Sequence, residues 1–285
     1  MTLVAIVTGA TRNLGFHLAH GLARRLEGGD IVYLTGRDER RVAEAVRRIS
    51  GARAVVEGAV LDVAERGNVE AFARTIADRH GGIDIVFSNH YARVQPDDDP
   101  AAVIDGYVAA NNLGTTQLLR RFAPLLRDGG RLFVVASRAG SLRALAPALH
   151  PRFDALGSLD EVDDAICRWR DAVREGLAAG QAWPAWINIP SKIGQVAAVR
   201  VLARQRRVDD LPRGILIAAI SPGLIDTGAS RHWLDMERAR MPEDVAGPLV
   251  DFALERASDD ESFYGQLVHL GHGEAPAFRS VVPWT

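Results

Sequence analysis

Residues 4–15, VAIVTGATRNLG, contain the junction that decides the fold. The apolar run over residues 4–8 predicts a buried strand, and the amphipathic pattern over residues 14–26 predicts a helix. Gly9 and Gly15 lie between them, where glycines allow a tight bend and let the backbone approach a pyrophosphate at the helix N-terminus. Asn13 occupies a position where a further glycine is common, and asparagine tolerates positive φ better than most side chains. This junction therefore predicts a phosphate-binding turn at the start of a parallel α/β sheet.

The alternation of strand and helix continues along the chain. Apolar runs predict strands at residues 30–35, 54–61, 84–88, 131–136, 214–220 and 266–270. Helical periodicity predicts helices at residues 39–49, 68–79, 101–126, 191–205 and 242–254. Because this order builds βαβ units, we predict an α/β protein: a single-domain Rossmann fold over residues 1–285, with a doubly wound parallel sheet of about seven strands.

Two segments depart from the alternation. Residues 141–185 contain several prolines and an amphipathic stretch, and we interpret them as a helical insertion on the surface. Residues 223–241 are interpreted as a substrate lid, because Trp233 and neighbouring apolar side chains suit a hydrophobic ligand. Trp183 and Trp186 either wall the same pocket from the insertion side or serve only in packing.

The composition argues against several classes of protein. The net charge of −2 gives no electrostatic reason to bind nucleic acid or an anionic membrane. A single cysteine, Cys167, excludes intramolecular disulfides and CxxC-type sites, so no metal is expected. No apolar run approaches the roughly 18 residues of a membrane span, and the first residues do not resemble a signal peptide. We therefore expect a cytoplasmic protein.

Lys192 stands out because it is the only lysine among 34 basic Lys and Arg residues. Arginine replaces lysine everywhere else in this chain, so a lysine kept only for surface charge would be unusual. Lysine offers a compact ammonium with an adjustable pKa, which arginine cannot supply. The composition alone therefore predicts a functional role for Lys192.

The end of the second predicted strand distinguishes between the two nicotinamide dinucleotides. An acidic residue there would bind the ribose 2′-hydroxyl of NAD, whereas an arginine suits the 2′-phosphate of NADP. The chain has Arg37 at this point, and Arg12 in the glycine turn can contact the same phosphate. Asp38 fits better as the N-cap of the following helix. These residues predict NADP(H) as the cofactor.

Three further motifs follow strand ends: Asp62-Val63, Ser88-Asn89, and residues 222–227, PGLIDT. Together with the glycine turn, they resemble the short-chain dehydrogenase/reductases over nearly the whole chain. The insertion and the Trp183-Pro184 pair are similar to those of the monomeric carbonyl reductases. The resemblance implies that Asp62 holds the adenine amine, Asn89 lines the cofactor, and Ile225 and Thr227 hold the carboxamide and phosphate region. The full set of implied cofactor contacts is Gly9, Thr11, Arg12, Asn13, Leu14, Gly15, Arg37, Asp62, Val63, Asn89, Lys192, Pro222, Gly223, Ile225 and Thr227.

The same resemblance implies a catalytic set. Ser137 would bond the substrate oxygen, Lys192 would hold the nicotinamide ribose, and Asn111 would bend the long helix and position a water near the lysine. The family motif Tyr-x-x-x-Lys is broken, because Asn188 stands four residues before Lys192. A carboxamide can donate a hydrogen bond but cannot act as a general acid.

The missing tyrosine leaves four interpretations open. A substitute acid acts, with Tyr91, His90 or Lys192 as candidates. Alternatively, the hydride goes to a carbon whose product needs no strong acid. Otherwise the pocket performs non-redox chemistry such as dehydration, cyclisation or isomerisation in secondary metabolism, with Asn188 and Ser137 as an oxyanion clamp. In the last interpretation the chain is a catalytically silent NADP(H)-binding regulator.

The preferred hypothesis is an NADPH-dependent reductase of a bulky apolar carbonyl, enone or quinone-like small molecule. In this hypothesis Ser137, with or without Asn188, polarises the acceptor. The predicted insertion would cover the long-helix face through which many relatives tetramerise, so we expect a monomer.

Overall fold

The computed structural model describes residues 2–228, 230–233, 235–255, 260–271 and 279–285. Its centre is an eight-stranded sheet in the order β3-β2-β1-β4-β5-β6-β7-β8, in which β8 alone runs antiparallel to its neighbour. The strands are β1 (Val4–Val7), β2 (Ile31–Gly36), β3 (Val55–Val60), β4 (Ile83–Ser88), β5 (Leu126–Val135), β6 (Leu216–Ser221), β7 (Leu267–Leu270) and β8 (Arg279–Val282).

Helices cover the sheet in two layers, since α1 packs with α9 while α3, α5 and α8 pack in series. The helices are α1 (Asn13–Arg25), α2 (Glu39–Arg48), α3 (Arg66–His80), α4 (Pro100–Val108), α5 (Gly114–Phe122), α6 (Pro151–Asp154), α7 (Leu159–Arg174), α8 (Asn188–Asp210), α9 (Pro242–Leu254) and α10 (Asp260–Phe263). The predicted Rossmann fold with a doubly wound sheet is confirmed.

Burial explains the apolar runs of the central strands. Every residue of β1, β4 and β6 is buried, because helices cover both faces of the sheet there. The strand order reverses between β1 and β4, which pair in parallel. In open α/β sheets such a reversal leaves a crevice at the carboxyl ends of the strands, where ligands bind.

The strand count and the long helix differ from the sequence prediction, and β5 begins at Leu126 rather than at residue 131. The sheet has eight strands rather than about seven, because Arg279–Val282 pairs antiparallel with β7. The predicted helix over residues 101–126 is divided into α4 and α5 by a π-helical turn at Ala109–Leu113. This wider turn carries Asn111, in agreement with the bend expected at that residue.

The insertion over residues 141–185 is helical and packs onto the domain. Helix α7 contacts α4 and α8, and it approaches so closely that a Cβ at Gly194 would lie 2.4 Å from Ile166 Cδ1. Arg170 reaches Asp105 of α4 at 3.5 Å. Helix α7 of the insertion therefore packs against both α4 and α8. Within the described part of the chain, no helix combines the length and apolar character needed to cross a bilayer.

Candidate active site

The turn between β1 and α1 has the backbone geometry that its sequence predicts. Gly9 has φ +62° and Asn13 has φ +49°, which confirms positive φ at the asparagine. A Cβ at Gly15 would lie 2.4 Å from Asn89 Nδ2, and a Cβ at Gly9 would lie 2.8 Å from His90 Cα. Both glycines are therefore required for the close approach of the turn to the loop after β4.

Asn89 and His90 fasten this turn to the sheet. Asn89 donates from its backbone N–H to Thr8 Oγ1 at 2.9 Å and from Nδ2 to the Thr8 carbonyl at 3.2 Å. His90 Nδ1 lies 3.0 Å from the same hydroxyl. Burial, followed by the charge of Lys192, lowers the pKa of His90 to about 4, so the imidazole is neutral at ordinary pH. His90 is thus a poor source of a proton for the site, and Asn89 shapes the turn.

A set of four arginines surrounds the mouth of the turn. The pKa of Arg12 is lowered, first by burial and then by the positive charges of Arg93, Arg41 and Arg37. Within the described ranges none of the four forms an ion pair. The first turn of α1 likewise carries no acidic side chain. Uncompensated cations at a helix N-terminus favour a polyanionic ligand.

Asp38 accepts a hydrogen bond from the Arg41 backbone N–H at 2.8 Å and is the N-cap of α2, which confirms its predicted role. Its carboxylate is therefore engaged at the helix end. Sequence reasoning missed Arg41 and Arg93, because only the fold brings α2 and the loop after β4 next to Arg12.

The remaining predicted cofactor residues lie along the same edge of the sheet. Asp62 follows β3 and accepts from the Ala64 backbone N–H at 3.0 Å. Val63 packs so closely on Gly114 that a Cβ added to this glycine would lie 2.9 Å from Val63 Cγ2. Thr11 lies close to the end of β2, since a Cβ added to Gly36 would be 2.7 Å from the Thr11 methyl group.

The segment after β6 completes this edge. Gly223 has φ +81°, a conformation that side chains rarely adopt, and it follows Pro222. Ile225 pairs with Arg240 in an isolated bridge, and the Thr227 backbone N–H donates to Ser230 Oγ at 3.0 Å. These bonds fold the predicted lid segment back on itself beside the carboxyl ends of the strands.

Ser137 and Lys192 face the crevice from β5 and α8. Ser137 lies two residues beyond the end of β5, and its Oγ accepts from the Ala139 backbone N–H at 3.3 Å. Lys192 is buried, and its Nζ donates to the Val135 carbonyl at 3.1 Å and to Gln195 Oε1 at 2.8 Å. Burial lowers the pKa of Lys192 to about 8. The only lysine of the chain is therefore buried close to Ser137, for which the resemblance implied a catalytic role.

Gln195 is a site residue that the sequence did not reveal. Its Nε2 donates to the Asn111 carbonyl at 2.8 Å and to Thr115 Oγ1 at 3.1 Å, while its Oε1 holds Lys192. The side chain of Asn111 is bonded to the backbone of Ala92, at 2.7 Å and 3.2 Å. The path from Lys192 to the Asn111 carbonyl, where a positioned water was expected, is spanned directly by a carboxamide.

Asn188 is the first residue of α8 and accepts hydrogen bonds from two tyrosine hydroxyls. Tyr107 donates to Asn188 Oδ1 at 3.0 Å, and Tyr91 donates to the same oxygen at 3.4 Å. The two rings meet edge to face at 6.1 Å, and Lys192 Nζ lies 5.4 Å from the centroid of the Tyr91 ring. Burial is the main cause that raises the pKa of each phenol, so both remain protonated at neutral pH. The residue that breaks the family motif therefore still has phenol groups beside it.

Trp186 and Trp233 form the contact between the insertion side and the lid. Their rings stack at 5.5 Å with an interplanar angle of 20°, and Trp233 Nε1 donates to the Val94 carbonyl at 3.3 Å. Trp183 instead packs in the insertion against Trp169 and Phe153, each 6.2 Å away. Among the contacts of the described residues, Trp186 meets the predicted lid segment and Trp183 does not. Lid residues 229 and 234 lie outside the described residues.

Comparison with known proteins identifies the family of this chain. The family profile described as short chain dehydrogenase matches residues 3–147, half of the chain. This chain belongs to the short-chain dehydrogenase family. Carbonyl reductase 1 (NADPH) from Mus musculus is 27% identical over 294 residues, covering 99% of this chain and 98% of the relative. Carbonyl reductase 3 (NADPH) from Homo sapiens is 28% identical over 278 residues, covering 93% and 95% respectively.

Solved structures agree on the fold of this short-chain dehydrogenase. Salutaridine reductase from Papaver somniferum has a TM-score of 0.76 at 22% identity, covering 93% of this chain and 99% of that one. A metagenomic short-chain oxidoreductase solved in complex with NADP has a TM-score of 0.55 at 23% identity, covering 94% and 96%. These structures share the fold of this chain along nearly its full length.

Proposed function

We propose that this short-chain dehydrogenase is an NADPH-dependent reductase of bulky apolar carbonyl, enone or quinone-like compounds. The observation that carries the proposal is the set of Arg12, Arg37, Arg41 and Arg93 around the glycine turn, with no acidic partner among the described residues. The names of the carbonyl reductases similar to this chain give NADPH as the cofactor of those proteins.

The residues at the strand ends fit a phosphorylated dinucleotide. Arg37 at the end of β2, together with Arg12 and Arg41, would hold the 2′-phosphate, because a planar guanidinium pairs with phosphate oxygens in two places. The free backbone N–H groups at the start of α1 would bind the diphosphate. The bound cofactor would supply a hydride from its nicotinamide C4.

Two side chains are placed to polarise the acceptor. Ser137 projects from the carboxyl end of β5, where open α/β sheets present their catalytic groups. Asn188 Oδ1 is taken up by the two tyrosine hydroxyls, so Nδ2 is its remaining group for binding a substrate oxygen. The buried charge of Lys192 adds a positive potential that stabilises oxygen as negative charge develops.

The lid supports an apolar and extended substrate. The stacked pair of Trp186 and Trp233 presents two large aromatic rings at the meeting point of insertion and lid. Flat aromatic rings bury large apolar area with little loss of side-chain entropy. Such surfaces favour polycyclic or conjugated carbonyl compounds over small polar ones.

One experiment separates this function from its competitors. The protein is incubated with NADPH and a panel of aromatic ketones, cyclic enones and quinones, while NADPH absorbance and product mass are followed together. Consumption of NADPH with products heavier by two hydrogens supports the proposal. Altered products without consumption indicate a non-redox enzyme, and tight NADP(H) binding without any turnover indicates a regulator.

We also propose that the protein acts as a monomer. The insertion helix α7 already occupies the outer face of α4 and α8. A second copy could not use that face without displacing α7. Light scattering coupled to size-exclusion chromatography, run with and without NADP, measures the mass directly.

A further inference from the structure

The reductase function leaves the source of the proton unassigned. Hydride addition to a carbonyl produces an alkoxide, which must take a proton from a nearby acid. Asn188 cannot provide it, because a carboxamide does not ionise near neutral pH. The donor must therefore be a different side chain within reach of the crevice.

The neutral imidazole of His90 and the buried ammonium of Lys192 are both committed elsewhere. His90 is 8% exposed, and its nitrogens meet Thr8 and Thr115. Lys192 donates to Val135 and Gln195. Gln195 then bonds the Asn111 carbonyl, and a carboxamide in this chain does not pass protons onward as a water or hydroxyl would. A donor in this site therefore has to be recharged directly from solvent.

Exposure to solvent distinguishes one of the tyrosines as the candidate donor. The chain has four tyrosines, and Tyr33, Tyr107 and Tyr264 are only 2–3% exposed. Tyr91 is 38% exposed and lies in the loop after β4, at the point where the strand order reverses. It is the tyrosine that both a substrate and water can touch.

On the basis of the reductase function above, we propose that Tyr91 is the proton donor of this site, with Asn188 and Tyr107 as its positioning residues. The phenol comes from the loop after β4 rather than from α8, the helix that carries Lys192. The Asn188 oxygen holds the strong bond from Tyr107 at 3.0 Å and the long bond from Tyr91 at 3.4 Å. Because the Tyr91 bond at 3.4 Å is longer than the usual O–H···O hydrogen bond, the Tyr91 hydroxyl can leave Asn188 for a substrate oxygen.

The step balances without a further reactant. The carbonyl carbon gains the hydride and is reduced, while the nicotinamide is oxidised. The carbon–oxygen π pair moves to oxygen, and that oxygen takes the proton as the O–H bond of Tyr91 breaks. The phenolate recovers a proton from water at its exposed edge. Lys192, whose Nζ is 5.4 Å from the Tyr91 ring centroid, stabilises the transient negative charge.

The surroundings of the Tyr91 hydroxyl favour carbonyl reduction over alcohol oxidation. The bond from Tyr107 and the charge of Arg93 both lower the pKa of Tyr91, but burial outweighs them and the net pKa is raised. A phenol that stays protonated serves as an acid for carbonyl reduction and is a poor base for alcohol oxidation. The site is therefore biased towards reduction.

The test compares Tyr91→Phe with Tyr33→Phe, a matched control whose hydroxyl bonds His80, on a different part of the sheet. With an aromatic ketone and NADPH, Tyr91→Phe is expected to lower kcat by about 10²–10⁴-fold, the usual loss of a general acid. The NADPH dissociation constant, measured by cofactor fluorescence, is expected to stay unchanged. The Tyr33→Phe variant is expected to match the wild type. A quinone gives a smaller loss in Tyr91→Phe, because its reduced oxygen is a weaker base.

A second readout needs neither cofactor nor substrate. Carbon-13 labelling of the tyrosine ring gives four signals, and Tyr91→Phe identifies the one from Tyr91. That signal is expected to titrate at the lowest pH of the four and to shift in Tyr107→Phe and Asn188→Ala, which a remote structural role would not produce.

Three outcomes decide the matter. A ketone kcat in Tyr91→Phe within about threefold of the wild type would overturn the role of Tyr91 while leaving the reductase function intact. A Tyr91 signal unaffected by Tyr107→Phe and Asn188→Ala would overturn the positioning roles. A wild type that consumes no NADPH with any ketone, enone or quinone would remove the reductase function and Tyr91's role with it.

Discussion

Lys192 allows the electrostatics of the site to be measured at a single group. Burial lowers its pKa from 10.5 to about 8. Between these two pH values the unfolded chain holds a proton that the folded chain has released, so the free energy of unfolding rises with pH. The total rise is about 3 kcal/mol, since each pH unit contributes about 1.4 kcal/mol. This stability is fully present above about pH 10.5 and is lost as the pH falls through about 8.

The perturbation is Lys192→Met, which keeps most of the apolar stem and removes the charge. Wild type and variant are unfolded with urea at several pH values from neutral to about 10.5. The free energy of unfolding of the wild type is expected to rise by about 3 kcal/mol relative to the variant over this range. Tyrosines remote from Lys192 ionise alike in both proteins and cancel in the difference, and Tyr91→Phe introduced into both proteins removes the tyrosine that contacts the lysine. The hydrogen bonds lost at Val135 and Gln195 change the offset between the curves but not their relative slope.

A direct titration accompanies the unfolding data. Because the chain has one lysine, carbon-13 labelling at its ε-carbon gives one side-chain signal that needs no assignment. The expected midpoint is about pH 8. Parallel stability curves for wild type and Lys192→Met, or a midpoint near 10.5, would refute the burial argument.

Three other changes test the turn and the pocket. Arg37→Asp is expected to weaken NADP binding by about 2–3 kcal/mol through loss of a charge-assisted bond; calorimetry should show no such loss in Arg47→Asp, which has the same change of charge at the far end of α2. The neutral imidazole of His90 contributes about 3 kcal/mol of stability, which is present above about pH 6.5 and lost as the pH falls to about 4. In His90→Gln the free energy of unfolding, measured with urea, should depend less on pH in that range. Asn188→Tyr is expected to destabilise the fold by about 1–3 kcal/mol through overpacking, and adding Tyr91→Gly is expected to restore part of that stability. An unfolding temperature of Asn188→Tyr equal to that of the wild type would contradict the overpacking.

The chain's local patterns predict the frame of the molecule well. Glycines, an asparagine and a capping aspartate act on their immediate neighbours, so the turn at Gly9, the positive φ of Asn13 and the cap at Asp38 follow from residue type. Long apolar runs likewise predict the buried strands, because helices on both faces demand them. Strand β8 was missed because its residues, RSVV, are partly exposed and form no apolar run, so only the pairing with β7 makes it a strand.

The site itself is less predictable because its contacts join distant parts of the chain. Tyr107 is 81 residues from Asn188, and Gln195 is 84 residues from the Asn111 carbonyl it bonds. Each lies on a helix with an ordinary periodic pattern, so nothing local distinguishes it from a packing residue. Trp183 shows the reverse case, since a large aromatic near a motif proves to belong to the core of the insertion.

The burial of Lys192 also affects how the protein withstands reactive compounds. Aldehydes, quinones and enones form covalent adducts with free amines and thiols on protein surfaces. Here the only ε-amine is 8% exposed, and the single thiol, Cys167, is partly buried with its pKa raised chiefly by that burial. The many arginines around them are far weaker nucleophiles, because they stay protonated at all ordinary pH values. Adducts at lysine and cysteine are therefore disfavoured, an advantage for any catalyst exposed to electrophiles.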